Sequence, residues 1–451
     1  MAGKTELPPQ LRHEAARIER IARAAGLDFG DVAFEMVDAR DVNALAAYGG
    51  FPVRYPSWRF GMDFERLDKG RQYGLSRIYE LVINTDPAYA WLVRTNSDME
   101  QKLVIAHVLG HADFFKHNVW FQPTDRKMLD RMADHGTRIR RAIDLHGQDA
   151  VEAFMDSALV LDNLLDPFLP LREHMKVRAA GAQGGASTVG SSFEAVRERA
   201  LGSSSSRPPT FDVLGFLAER APLPEWQREL LRIVRAEAYY FLPQRMTKIM
   251  NEGWASFWHS RILTGGVLDA SEVVEFADCH SGATASSPGN LNPYKLGIEM
   301  FRAAEERGLD LFRLRRVHND ASFVDEIVDE EFVARNALFL FGKNGRTGRT
   351  EVVDREARAV KERLLQDLSW GGLPQIELVD DDHAGRGELI LRHHHDGRDL
   401  QLSHAAETLK SLSRLWGASV HFETREESSV RWISSDGAEI RTGERPYERT
   451  G

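Results

Sequence analysis

Apolar residues recur at helical spacing through most of the chain, and the period shortens to strand-like alternation near the C-terminus. Leu11, Ala15, Ile18 and Ile21 predict an amphipathic helix over Leu11–Ala25. Val32–Leu45 reads as another short helix, Phe51–Gly61 as a loop rich in Pro, Trp and Arg, and Glu65–Gln72 as helix again. Tyr79–Ile83 and Tyr89–Val93 read as two short strands around Asn84-Thr-Asp-Pro87. A helix begins near Met99, and charged helical stretches cover Met128–Gly147 and Asp149–Asp162, ending near Asp166-Pro167. Ala179–Thr210, with its Gly and Ser runs and Pro208-Pro209, reads as a mobile surface insertion. Helix resumes over Asp212–Arg220 and Glu225–Leu263, where Pro243 predicts a kink or a break. Asp278–Tyr294 reads as a loop and Lys295–Gly308 as a helix. Beyond Trp370, strands are expected at Ile376–Val379, Glu388–His393, Asp399–Leu402, Ser419–Thr424 and Val430–Ile433, with a helix over His404–Gly417.

This pattern predicts an α+β protein in three parts. Residues 1–98 form an N-terminal helical and short-strand region. Residues 99–368 form a helical core carrying the insertion at 179–210. Residues 369–451 form a small C-terminal α+β domain.

Within the apolar stretch Leu103–Phe115 lies His107-Val-Leu-Gly-His111. Two histidines four apart share a helix face, about 6 Å apart at Cβ. A second segment, Asn251-Glu252-Gly-Trp-Ala-Ser256, runs on to His259. Glu252 on a second helix would complete a His, His, Glu triad, a donor set of catalytic zinc. An unpaired carboxylate in such an apolar stretch is expensive, so a metal, a cation (Arg245 or Lys248) or a proton must offset it. His259 returns to the Glu252 face, as a fourth ligand or as an imidazolium donor to a developing oxyanion. Tyr239 or Tyr240 offers a phenol for the same task. The HExxH peptidase pattern needs a glutamate after the first histidine, and here that position is Val108. A general base must then come from Asp113, Asp134 or Glu237, or the metal alone must acidify its water. Asp134 is also a candidate support for a metal-bound imidazole, and His135 a further ligand. Asp278 and His280 flank Cys279 in the expected loop and are candidates to approach an open site. His107, His111, His135, Glu237, Glu252 and His259 would also supply a dimetal carboxylate centre, but the paired Glu-x-x-His motifs of such bundles are missing. The run His393-His394-His395 alternates across a strand and does not make a three-ligand site by itself.

Composition narrows the chemistry. The single cysteine, Cys279, excludes intrachain disulfides and cysteine-based structural zinc, so a metal must use His, Asp or Glu. A net charge of -10 argues against a general binder of nucleic acid or anionic membrane. No apolar run is long enough to span a bilayer and the N-terminus lacks the apolar core of a secretory signal, so a soluble cytoplasmic protein is expected.

Four stretches carry a resemblance to the SpoVR family, the stage V sporulation protein R-like proteins. They are Tyr73–Pro87, Gln101–Lys116, Phe241–Ser256 and Leu291–Gly297, and the resemblance extends over nearly the whole chain, least over 180–208. It implies a role linked to sporulation, cell-wall or stress physiology. It also implies partnership with a PrkA-like serine kinase and a YeaH-like protein, and a valine after the first histidine as the family form. A looser resemblance links His107, His111 and Glu252 to the ligands of gluzincin-type zinc peptidases, and implies a zincin-like metal-binding core. The expected activity is metal-dependent amide hydrolysis on a peptide or peptidoglycan precursor, with zinc as the metal and His259, Tyr240 and Asp113 as catalytic groups. The alternatives are a regulatory or scaffold protein with a structural metal, and a di-iron carboxylate oxidoreductase.

Overall fold

The computed structural model describes residues 7–72, 80–183, 208–285, 291–343, 347–426 and 429–446. Part of the family-like stretch (73–79), most of the Gly/Ser-rich insertion (184–207) and part of the expected loop (286–290) lie outside the described residues. The chain opens with α1 (Pro9–Ala24), β1 (Val32–Val37), α2 (Ala39–Ala47), α3 (Trp58–Gln72), β2 (Glu80–Ile83), β3 (Ala88–Val93) and α4 (Asp98–His117). There follow α5 (Met128–His146), α6 (Gln148–Leu159), α7 (Leu169–Gln183), α8 (Val213–Arg220), α9 (Glu225–Met246), α10 (Lys248–Ile262), α11 (Val273–Ala283) and α12 (Pro293–Glu306). Three short helices, α13 (Leu311–Val317), α14 (Asp320–Ile327) and α15 (Glu330–Arg335), lead to the hairpin β4 (Leu340–Lys343) and β5 (Thr350–Asp354) and to α16 (Ala357–Leu368). The C-terminal stretch holds β6 (Ile376–His383), β7 (Glu388–His393), α17 (Leu402–Trp416), β8 (Val420–Glu426), β9 (Ser429–Ser435) and β10 (Ile440–Pro446). The N-terminal region is thus mostly helical and the C-terminal part small and β-rich. By its contacts the chain forms two units, one from residues 1–137 and 246–365, the other from 138–245 and 366–451.

In the first unit, α4 starts on a capping box. Ser97 Oγ accepts the Glu100 N–H, and Glu100 Oε2 accepts the Ser97 N–H. The helix is buried from Met99 to Phe115, apart from the half-buried Leu103. It lies against α10, and α10 in turn lies against α12. Glycines permit both contacts. A Cβ on Gly110 would come within 2.7 Å of the Ala255 Cα, and one on Gly297 within 2.6 Å of the Gly253 Cα. Gly110 therefore trades about 1 kcal/mol of helix propensity for close approach of the two helices that carry the candidate ligands.

The break in the 225–263 stretch falls at Thr247, with φ -132° and ψ 21°, while Pro243 stays inside α9. Thr247 makes no side-chain cap. Asp320 of α14 does the capping from a distance, accepting the Ile249 and Met250 N–H groups at 2.9 Å each. Burial pushes the Asp320 carboxyl up to about 7 against the pull of these backbone donors. A folded value above the unfolded one means the contribution is complete below about pH 4 and fades as pH rises through about 7. Between pH 4 and 8 the wild type should lose on the order of 4 kcal/mol of unfolding free energy relative to Asp320→Asn. Denaturant titrations across that range check this, and a difference independent of pH overturns it.

Three elements differ from the pattern-based expectation. Val32–Val37 is a strand rather than the start of a helix, because it pairs in parallel with β3 from Val32↔Ala88 to Val37↔Val93. Val273–Ala283 is helix where Asp278 was expected to begin a loop, its small residues supporting a helix as readily as a coil. Asp399–Leu402 is not a strand: it takes no place in the five-stranded sheet and leads directly into α17, whose first residue is Leu402.

The second unit contains a five-stranded sheet in the order β10-β9-β8-β7-β6, with only β7 and β8 parallel. A parallel pair needs a crossover, and α17 supplies it. The histidine run ends β7 with three separate partners: His393 meets Thr424, His394 meets Glu377 and His395 meets Asp399. No helix among the described residues is long and apolar enough to cross a membrane.

Candidate metal centre

His107 and His111 project from α4 one turn apart, ring centroids 4.5 Å from each other. Glu252 comes from the second turn of α10. Its Oε2 lies 3.5 Å from His107 Nε2 and 3.5 Å from His111 Nε2. That is longer than a good hydrogen bond, and Glu252 Oε2 is buried without a hydrogen-bond partner. The three ligand atoms lie within 4.8 Å of one another, and they form the cluster of metal-binding side chains found among the described residues. Ligands about 2.0–2.1 Å from a tetrahedral zinc stand roughly 3.4 Å apart, so the two spacings from Glu252 to the histidines match edges of a coordination tetrahedron. Burial pushes the Glu252 carboxyl up, but the two imidazoles outweigh it and hold the group well below the usual carboxylate range.

The surroundings fix the donors. An amide oxygen only accepts, so His111 Nδ1–H donates to Asn251 Oδ1 at 2.9 Å, leaving Nε2 bare toward Glu252. His107 Nδ1 meets His259 Nδ1 at 2.8 Å. His259 thus stands behind His107, not beside Glu252 as a fourth ligand. Burial lowers the His259 pKa far below its ordinary value, and the imidazoles of His107, His280 and His111 lower it further. These surroundings disfavour the charged ring and so do not support the expected imidazolium donor.

The other sequence candidates separate. Asp113 is fully buried, and its oxygens take the Asp28 N–H at 2.8 Å, the Trp254 indole N–H at 2.8 Å and the Arg315 guanidinium at 3.1 Å. These partners make it a brace joining α4, α10 and α13 rather than a free base. On α5, Asp134 is exposed and His135 is buried, and neither joins the three-ligand cluster. Glu237 and Tyr240 belong to α9 in the second unit. On α11, Asp278 is exposed while His280 turns inward, its Nδ1 3.1 Å from His259 Nε2.

Two participants escape a reading by motif. Asn251 orients His111, although it was visible only as the neighbour of Glu252. Tyr294 stacks over His107 with ring centroids 6.3 Å apart and planes 26° apart. Its signal is the Asn292-Pro293 pair, an N-cap followed by a first-turn proline, which places Tyr294 on a helix rather than in a loop.

Such a cluster offers two neutral nitrogens and one anionic oxygen, a set suited to a single divalent ion with room for one exogenous ligand. A family described as SpoVR like protein matches residues 6–373, and the SpoVR-like C-terminal domain matches residues 374–427. The Uncharacterized protein YcgB of Escherichia coli (strain K12) is 30% identical over 466 residues, covering 91% of each chain. No solved structure matches.

Proposed function

The chain belongs to the SpoVR family, and on that premise we propose that it is a single-metal protein whose centre hydrolyses amide bonds. The supporting observation is Glu252 Oε2, buried, without a hydrogen-bond partner and equidistant from two histidine nitrogens. His107, His111 and Glu252 would hold the ion. Three protein ligands are the mark of a catalytic zinc site, where a structural site would close with four. When bound, zinc would polarise a carbonyl and acidify a water without a neighbouring carboxylate base. That chemistry suits Val108, which is buried and takes no proton. Tyr294, half-buried beside His107, is a phenol placed to orient a substrate or to donate to its oxygen. A peptide or peptidoglycan precursor is the proposed substrate class, and the PrkA-like kinase and YeaH-like protein are the proposed partners.

The binding-only reading is favoured by a specific observation. Asp113 is engaged by three partners and Asp134 is exposed and outside the three-ligand cluster, which argues against either as the base. The di-iron reading has one carboxylate in the cluster, fewer than a bridged pair of ions requires.

Elemental analysis of untagged protein purified without added metal tests the proposal. About one zinc per chain, with turnover on amide substrates that a chelator abolishes, is expected. One zinc with no turnover against a broad peptide panel selects the binding-only reading. Two irons per chain, or no uptake even after reconstitution, overturns the proposal.

A further inference from the structure

Three histidines from three helices stand in line behind the cluster. His107 of α4 and His259 of α10 meet through their Nδ1 atoms at 2.8 Å, and His259 Nε2 meets His280 Nδ1 of α11 at 3.1 Å. A neutral imidazole carries one ring proton, so it donates at one nitrogen and accepts at the other. Two such bonds in series permit only two proton orders. In the outward order, His107 donates from Nδ1, His259 donates from Nε2, and His280 keeps its proton on Nε2. In the inward order, His280 donates from Nδ1, His259 donates from Nδ1, and His107 keeps its proton on Nε2. Only the outward order leaves His107 Nε2 bare toward Glu252.

We infer that capture of a metal ion sets the outward proton order along His107–His259–His280, which makes His259 and His280 positioning residues for the ligand His107. This rests on the single-metal reading. It gives His280, half-buried on α11, influence over a ligand two imidazoles away. The alignment is built rather than incidental. Phe276, one helical turn before His280, packs edge-on to His259 at 6.2 Å and stacks on His280 at 5.6 Å. It pins both rings from the same helix. Each contact, at 2.8 and 3.1 Å, joins two ring nitrogens, so each needs one donor and one acceptor. Burial and then Arg302 lower the His280 pKa, Glu299 opposes them, and His107 adds a smaller downward push. Groups on α4, α10 and α12 therefore all bear on the ring.

The chemistry predicts which substitutions preserve the order. Asparagine at 280 offers an oxygen near the Nδ1 position and still accepts from His259 Nε2. Methionine fills similar space and accepts poorly. The test measures zinc affinity of the full-length wild type, His280→Asn and His280→Met by competition with a chromophoric chelator. Ring 15N shifts of the histidines are recorded with and without zinc. His280→Asn should stay within about threefold of wild type, and His280→Met should weaken binding about tenfold, the low end for outer partners of a metal-bound histidine. Zinc-loaded wild type should carry its protons on His107 Nδ1 and His259 Nε2. Equal affinities in all three chains, or zinc-loaded His259 protonated at Nδ1, overturn this inference and leave the metal site standing. A wild type that binds no zinc overturns both.

Discussion

Glu252→Ala should lose metal affinity by at least about 100-fold, beyond the 10–100-fold typical of groups that only support a ligand. Glu252 supplies the cluster's one carboxylate, and its Oε2 is the atom equidistant from both Nε2 positions. With it removed, two neutral imidazoles remain, and a divalent ion held by two nitrogens exchanges readily with water. The same loss is expected for His107→Ala and His111→Ala, since each leaves two ligands of three. Asn251→Ala should have a smaller effect, within the 10–100-fold range, because it frees the His111 ring to turn without removing a ligand. Metal content after dialysis, together with chelator competition, measures all four. Thermal unfolding of the metal-free forms checks that each chain is folded. A Glu252→Ala chain that keeps stoichiometric metal would sink the triad, and an Asn251→Ala loss as large as that of Glu252→Ala would place Asn251 among the ligands.

The parts of this centre that were legible in the sequence are those fixed by spacing along one helix. His107 and His111 four apart imply one face whatever surrounds them, and Glu252 in an apolar stretch demands a partner. The parts that were not legible depend on contacts between helices far apart in sequence. Asp113 looked like a base because a carboxylate near a metal helix usually means chemistry. Its partners Asp28, Trp254 and Arg315 come from three other places in the chain, and they turn it into a brace. His280 sat in a run of Ser, Gly, Ala and Thr that reads as loop, so its alignment with His259 could not be seen until α11 formed. The first strand was hidden for a similar reason. Val32–Val37 has no strong alternation, and pairing with β3 decides its conformation. In the C-terminal part, strand alternation was clear, but it could not tell that the sheet would be complete without Asp399–Leu402, which leads into α17.

Gly297→Ala should be among the most destabilising single-methyl additions in the first unit. The new Cβ would sit 2.2 Å from the Ile249 carbonyl oxygen and 2.6 Å from the Gly253 Cα, and both are backbone atoms of α10 that cannot rotate aside. Helix propensity would favour alanine by about 1 kcal/mol. Overpacking typically costs about 1–3 kcal/mol, and more where backbones must separate, so a net loss of about 2 kcal/mol or more is expected. Gly110→Ala meets the Ala255 Cα at 2.7 Å and should behave alike in stability. The two differ at the metal centre. Gly110 separates α4 from α10, so a methyl there moves His107 and His111 away from Glu252 and should lower metal affinity together with stability. Gly297 lies between α10 and α12 and leaves the three ligands on their own two helices, so its stability loss should exceed its effect on the metal. Gly61→Ala on α3 is the control: nothing lies within 4 Å of its added methyl, and propensity alone predicts a gain of about 1 kcal/mol. Urea midpoints and zinc affinities of the three variants decide the matter. If Gly110→Ala unfolds at the wild-type midpoint and binds zinc as tightly, close contact of α4 and α10 is not what brings His107 and His111 to Glu252.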